Sequence, residues 1–194
     1  MTSGSDVSAY ITSRLHRATA DPALALYFPG QGSQKAGMGK DLVQASQAAR
    51  RVFETADNVL GAALSRLCFE GPEDELTRTS NAQPAILATS IAVLAAALES
   101  GAIEKRPAFM AGHSLGEYTA LAAAGALSFT DALLLVRERG RLMEKAGTEQ
   151  PGTMAAIVAM AEDAVEDVCR ESGTEVCNYN LDSQIVIGGT PEAV

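Results

Sequence analysis

Tryptophan is absent from the 194 residues, and aromatics make up only 5% of them. A fold that depends on packed aromatic cores, such as an aromatic-rich β-sandwich, is therefore disfavoured. The abundance of Ala, Leu and Gly suits helices packed closely on a sheet. Cysteine is sparse. Cys68, Cys169 and Cys177 form no CxxC pair and have no nearby histidine, so neither a zinc pattern nor a disulfide framework is present. They read as buried or inert thiols. Basic residues are outnumbered, with a net charge of −9, and a polyanion-binding surface is not expected. Uninterrupted apolar runs of membrane-spanning length are also lacking. The stretch from Ala82 to Leu98 is broken by Gln83, Pro84, Thr89 and Ser90. Residues 1–22 are rich in Ser and Thr without the apolar run of a secretory signal, and are expected to be flexible or helical. These features give the expectation of a cytoplasmic protein with no membrane or nucleic-acid partner and no bound metal.

What is present is an α/β pattern. Ala23 to Phe28 reads as a buried strand ended by Pro29-Gly30, and a helix is expected over 40–60. Further helical patterns cover 73–76 and 83–100. Pro107 to Ala111 is a second short strand, followed by a helix from Leu115 to Ala124 with Gly125 at its end. Ser128 and Asp131 have capping-box spacing and open a helix expected to stop at Gly147. Strands are expected at 154–160, 176–180 and 184–187, a helix at 162–171, and a helix start at Thr190-Pro191. Strand, loop, helix, strand, tight turn and helix indicate a largely parallel sheet.

Gly112-His113-Ser114-Leu115-Gly116 fits Gly-x-Ser-x-Gly between a predicted strand and a predicted helix. A sharp turn there strains the serine backbone and exposes its hydroxyl at a helix N-terminus, where negative charge is favoured. Ser114 is thus the candidate nucleophile, and the Leu115 N–H a candidate oxyanion donor. His113 is adjacent to Ser114, and neighbouring side chains on a turn diverge, so it reads as support for the turn rather than as the base. The other histidine, His16, lies in the N-terminal extension. The sequence supplies a nucleophile without an imidazole to activate it.

On the helix that follows, a 3.6-residue period places Ala132, Leu135, Leu142 and Met143 on one face, with Arg139 among them. An inward guanidinium needs an anion. The partner is either a substrate carboxylate held bidentately or an internal Asp or Glu; a third arrangement carries the side chain to the edge. The pattern does not choose among these.

Phe28-Pro-Gly-Gln-Gly-Ser-Gln34, Gln83-Pro-Ala85, Gly112-His-Ser-Leu-Gly-Glu-Tyr118, Arg137-Glu-Arg-Gly140, and Asn178-Tyr-Asn180 with Gln184-Ile-Val-Ile187 together resemble the malonyl-CoA:acyl-carrier-protein transacylases and the acyltransferase domains of fatty-acid and polyketide synthases. The motifs keep family order and spacing from about residue 24 onward. The resemblance implies an α/β-hydrolase-like large lobe over 23–150, then the start of a ferredoxin-like small lobe over 151–194, incomplete and truncated at the C-terminus. Ser114 would carry the malonyl group as an ester between malonyl-CoA and acyl carrier protein. Gln31 and Leu115 would form the oxyanion hole, and Arg139 would bind the malonyl carboxylate. Gln83 and His113 would line the same pocket. No cofactor is implied beyond the two substrates, and a complete protein would be a monomer. The family's catalytic histidine lies beyond the match to Gln184, past residue 194. The alternative is a catalytically deficient fragment or paralogue that binds CoA or carrier protein without efficient turnover. Leu181-Asp-Ser183 departs from the family's usual Ser-Pro-x while keeping its length, so a changed turn is expected rather than a lost strand.

Overall fold

The computed structural model describes residues 5–194 and divides into two compact units, Met1–Glu144 and Lys145–Val194. The first unit opens with helix α1 (Ser5–Arg17) and strand β1 (Ala20–Phe28). Five helices follow: α2 (Lys40–Ala45), α3 (Gln47–Leu60), α4 (Leu64–Glu70), α5 (Glu73–Thr77) and α6 (Thr79–Ser100). Strand β2 (Arg106–Gly112) and helix α7 (Leu115–Ala123) come next, then α8 (Phe129–Glu149), within which the division between units falls.

The expected α/β class and parallel pairing are present. β1 and β2 are parallel, with Ala25 opposite Phe109 and Phe28 opposite Gly112. Parallel strands end on the same side, so the loop after Phe28 and the turn after Gly112 leave the sheet together. Ligand sites of open α/β sheets form beyond that carboxyl edge.

The core of this unit is built around α6, which packs against α1, α3, α4, α5 and α7. By length and composition α6 could cross a membrane. Here Ala85, Leu87, Ala88 and Ala92 are instead completely buried. The N-terminal extension is helical and integral to this core: Val7, Ile11 and Leu15 of α1 are all buried. Met1 to Gly4 lie outside the described residues, and residues 20–22 already belong to β1.

Several helices differ from expectation, and α6, expected from residue 83, already begins at Thr79. The helix expected over 40–60 is two, parted at Ser46. That serine is extended, and its hydroxyl accepts the Ala49 N–H while donating to the Glu99 carboxylate at 2.6 Å. Its capping chemistry outweighs helix propensity. α4 was not expected at all. It is short and lies between two glycines in positive-φ conformations, Gly61 and Gly71. α8 runs two residues past Gly147. Its start is as expected, with the Ser128 hydroxyl accepting the Asp131 N–H at 3.0 Å.

The second unit contains β3 (Thr153–Val158), α9 (Glu162–Ser172), β4 (Glu175–Leu181) and β5 (Gln184–Gly189). The sheet is antiparallel in the order β3-β5-β4. Val165 and Cys169 of α9 pack on Ile185 and Ile187 of β5 to form its small core. The strand pair around Leu181-Asp-Ser183 is intact, with Leu181 opposite Gln184 across a two-residue turn. At Thr190 the chain makes a single turn, in which the threonine hydroxyl accepts the Ala193 N–H.

Candidate active site

Ser114 sits at the N-terminal end of α7 with φ 54° and ψ −109°, a backbone conformation that L-residues rarely adopt. Such strain persists only where the surroundings enforce it. Here two glycines do so. A Cβ on Gly112 would lie 2.0 Å from the Gly116 backbone, and one on Gly116 would lie 2.3 Å from the Phe28 carbonyl oxygen. Strand end, turn and helix start are thus in backbone contact. The His113 N–H donates to the Phe28 carbonyl, and the Gly116 N–H to the His113 carbonyl. Leu115, the first residue of α7, is completely buried and anchors the helix in the core. The strand–turn–helix context anticipated from Gly-x-Ser-x-Gly is present.

The loop after β1 lies over this turn. A Cβ on Gly30 would come within 2.7 Å of His113 Nδ1, so the imidazole packs on the loop backbone. Gln31 follows directly, and its side-chain amide donates to Thr79 Oγ1 at 3.1 Å, tying the loop to the first residue of α6. His113 itself is exposed. His16 lines a hollow with Arg106 and Pro107, at the opposite end of β2 from Ser114. A seven-residue strand separates them by about 23 Å.

α8 brings Arg139 to Ser114. Its Nη2 donates to Ser114 Oγ at 2.8 Å, and its Nη1 to Gln83 Oε1 at 2.8 Å. Gln83 is completely buried, and its Nε2 lies 3.2 Å from Met143 Sδ, one helical turn beyond Arg139. The Tyr118 ring, one turn along α7 from Ser114, lies under the guanidinium at 6.0 Å. Gly140 makes this approach possible: a Cβ there would meet the Thr79 carbonyl oxygen at 2.6 Å. Glu144 completes the seam by accepting from both the N–H and the hydroxyl of Ser80.

The interior face of α8 differs from the one the sequence suggested. The buried residues are Phe129, Ala132, Leu133, Val136 and Gly140, whereas Leu135, Leu142 and Met143 are about half exposed. Arg139 stands at the flank of that stripe, partly buried. Among the described residues no carboxylate pairs with it, and none of the alternatives involving an internal Asp or Glu is realised. The structure brings Ser114, Arg139 and Gln83 into one hydrogen-bonded chain, with Leu115, His113 and Gln31 around it. Tyr118, Met143 and Thr79 belong to the same cluster although the sequence assigned them no role. Tyr118 and Met143 could have been found as the i+4 neighbours of Ser114 and Arg139. Among the described residues no group of three His, Cys, Asp or Glu could hold a metal ion.

A strained serine at a helix N-terminus, beside an arginine that no carboxylate pairs with among the described residues, suits nucleophilic chemistry on an anionic acyl group. Comparison with known proteins points the same way. The chain is 52% identical over 176 residues to a malonyl CoA-acyl carrier protein transacylase of Bacillus subtilis strain 168, covering 88% of this chain and 55% of that protein. The solved acyl-carrier-protein S-malonyltransferase of Bartonella henselae superposes with a TM-score of 0.80 at 47% identity, over 87% of this chain and 56% of the other. A malonyl-transacylase solved in complex with its type II polyketide-synthase acyl-carrier protein superposes with a TM-score of 0.81 at 42% identity, over 87% of this chain and 55% of the other. The chain therefore spans little more than half the length of these relatives. Residues 26–194 match the acyl transferase domain family, and the chain belongs to that family.

Proposed function

We propose that this chain supplies the nucleophile and the acid-recognition residues of an acyl-carrier-protein S-malonyltransferase of fatty-acid or polyketide biosynthesis, acting in the cytoplasm. The observation that carries the reading is the Arg139 guanidinium at 2.8 Å from Ser114 Oγ. A cation so placed can hold the carboxylate of a malonyl group while its thioester carbonyl faces the serine. Ser114 Oγ forms a bond to that carbonyl carbon. The developing oxyanion is taken by the backbone N–H groups of Gln31 and Leu115, and the carbon–sulfur bond breaks. CoA leaves as the thiol with a proton, and a malonyl ester remains on Ser114. Attack by the phosphopantetheine thiol of acyl carrier protein then releases the serine in the second half of a ping-pong cycle. A relative solved with its acyl-carrier protein supports that partner.

Gln83 fixes the arginine, and His113 holds the loop that carries Gln31 against the nucleophile turn. No cofactor is required, because the thioester provides the driving force. Within this reading the first unit corresponds to part of an α/β-hydrolase-like lobe. The β3-α9-β4-β5 unit corresponds to the start of a ferredoxin-like lobe.

The Ser114 proton needs an acceptor. His16 is remote and His113 packs on Gly30, so we assign the base to the part of the relatives that these 194 residues do not match. Incubation with malonyl-CoA and intact-mass analysis should show a malonyl adduct that disappears in Ser114→Ala. Arg139→Ala should reduce malonyl loading far more than acetyl loading. Equal losses with both thioesters would make the arginine structural and remove the basis for malonyl selectivity.

A further inference from the structure

The arginine that would receive the carboxylate is bonded to the nucleophile. Nη2 of Arg139 lies 2.8 Å from Ser114 Oγ, while Nη1 is held at the same distance by Gln83 Oε1. The Gln83 carbonyl is a fixed anchor, since its side chain is completely buried and its amide faces Met143 Sδ. The Tyr118 ring backs the guanidinium. The two acceptors of this cation, Gln83 Oε1 and Ser114 Oγ, are neutral, and the one on the Nη2 side is the atom that must attack the acyl carbon.

We infer that Arg139 acts as a substrate-released brake: in the empty site it occupies a lone pair of Ser114 Oγ, and a carboxylate draws Nη2 away and frees the nucleophile. This rests on the functional reading above and extends it, because selectivity then has two sources. A carboxylate-bearing thioester gains an ion pair, and a neutral acyl thioester meets a serine that is still held. The exchange is favourable because a carboxylate brings a full negative charge and two acceptor oxygens to the guanidinium fork, where the serine hydroxyl offers one neutral oxygen. It is also small in extent. Nη1 stays on Gln83, so the guanidinium need only trade one acceptor for another. A lone pair engaged by a cation is a poorer nucleophile, and its release restores the free hydroxyl without movement of the α7 backbone.

The test measures labelling of Ser114 by diisopropyl fluorophosphate, a small uncharged probe. The reaction forms an oxygen–phosphorus bond, expels fluoride and passes the serine proton to buffer. Intact mass is followed over hours on the unaltered chain, with Ser114→Ala as the blank. Sodium acetate replaces sodium chloride at constant ionic strength, and acetamide serves as the neutral control. Acetate is expected to raise the labelling rate about tenfold, the scale of one lost hydrogen bond, whereas acetamide has no effect. Arg139→Met should label at the raised rate without acetate and ignore its addition.

Unchanged or slower labelling of the unaltered chain in acetate overturns the brake, and so does a complete lack of labelling in every arm. If acetate slows the unaltered chain but not Arg139→Met, the arginine binds carboxylates without restraining the serine. The brake then fails while the malonyl reading stands. If acetate has no effect and Arg139→Met binds malonyl-CoA as tightly as the unaltered chain, both fail. Should Arg139→Met not fold, the acetate series decides alone.

Discussion

Gly140 of α8 lies so close to Thr79 of α6 that a methyl group on it would sit 2.6 Å from the Thr79 carbonyl oxygen and 2.8 Å from the Ser80 Cα. This contact sets the depth at which α8 meets the first turn of α6, and so the distance from Arg139 to both Gln83 and Ser114. Gly140→Ala should push the helices apart. Overpacking of this kind costs about 1–3 kcal/mol, readable as a lower urea midpoint, and malonyl loading of Ser114 should fall with it. An unchanged midpoint would mean that the seam can yield without strain.

Glu144 caps α6 from outside, and its carboxyl is held below its ordinary value of 4.5, first by the Ser80 N–H, with the Ser80 hydroxyl and Arg78 adding to it against the effect of burial. A carboxyl lowered in the folded state contributes stability above its unfolded value and loses it as pH falls. Glu144→Gln should therefore be less stable than the parent at pH 7. The difference should shrink as the pH drops below the ordinary carboxylate range. Thermal melts of both proteins from pH 7 to pH 3 would show this, and a gap that widens toward acid would contradict it.

The three thiols should separate in reactivity. Burial, followed by the charge of Asp57, pushes the Cys68 thiol up to about 12, whereas Cys177 is exposed. Of the three cysteines expected to be buried or inert, Cys68 and Cys169 are buried and Cys177 is not. Iodoacetamide at pH 8 should modify Cys177 first, and Cys68 only after unfolding, since the thiolate is the reactive form. Equal rates at the two sites in folded protein would disprove the assignment.

Residues before position 26 fall outside the family match, yet α1 is part of the core. Ile11 is 2% exposed. Ser8 Oγ accepts the Phe129 N–H at 2.8 Å, which helps cap α8. Ile11→Ala should cost about 2–5 kcal/mol, as for other buried large-to-small replacements. Chemical denaturation gives the value, and a change within error would show the helix to be dispensable.

Much of the Ser114 turn was legible because its glycines are demanded by backbone contacts that the motif encodes one-for-one. Arg139 was legible for a weaker reason. Counting large apolar residues placed the interior face at Leu135, Leu142 and Met143, but the closest approach of α8 is made by Gly140, which has no side chain to count. The break at Ser46 was hidden because its capping partner, Glu99, is distant in sequence. Tyr118 and Met143 were within reach as i+4 neighbours but were passed over, since an aromatic or a methionine at helical spacing reads as core until the residue it supports is placed.

The pairing of β1 with β2 has a consequence for synthesis on the ribosome. β1 leaves the exit tunnel about 80 residues ahead of its partner, and at 5–20 residues per second that is an interval of roughly 4–16 s. Throughout it the backbone groups of β1 have no strand to bond, and Leu26, Tyr27 and Phe28 are available to any other nascent or unfolded chain. The helix that packs on β1 in the finished fold, α7, is made only after β2 and gives no cover in that interval. Protection of this nine-residue strand before its partner arrives, rather than the stability of the finished sheet, is then the step at which lost yield would first be felt.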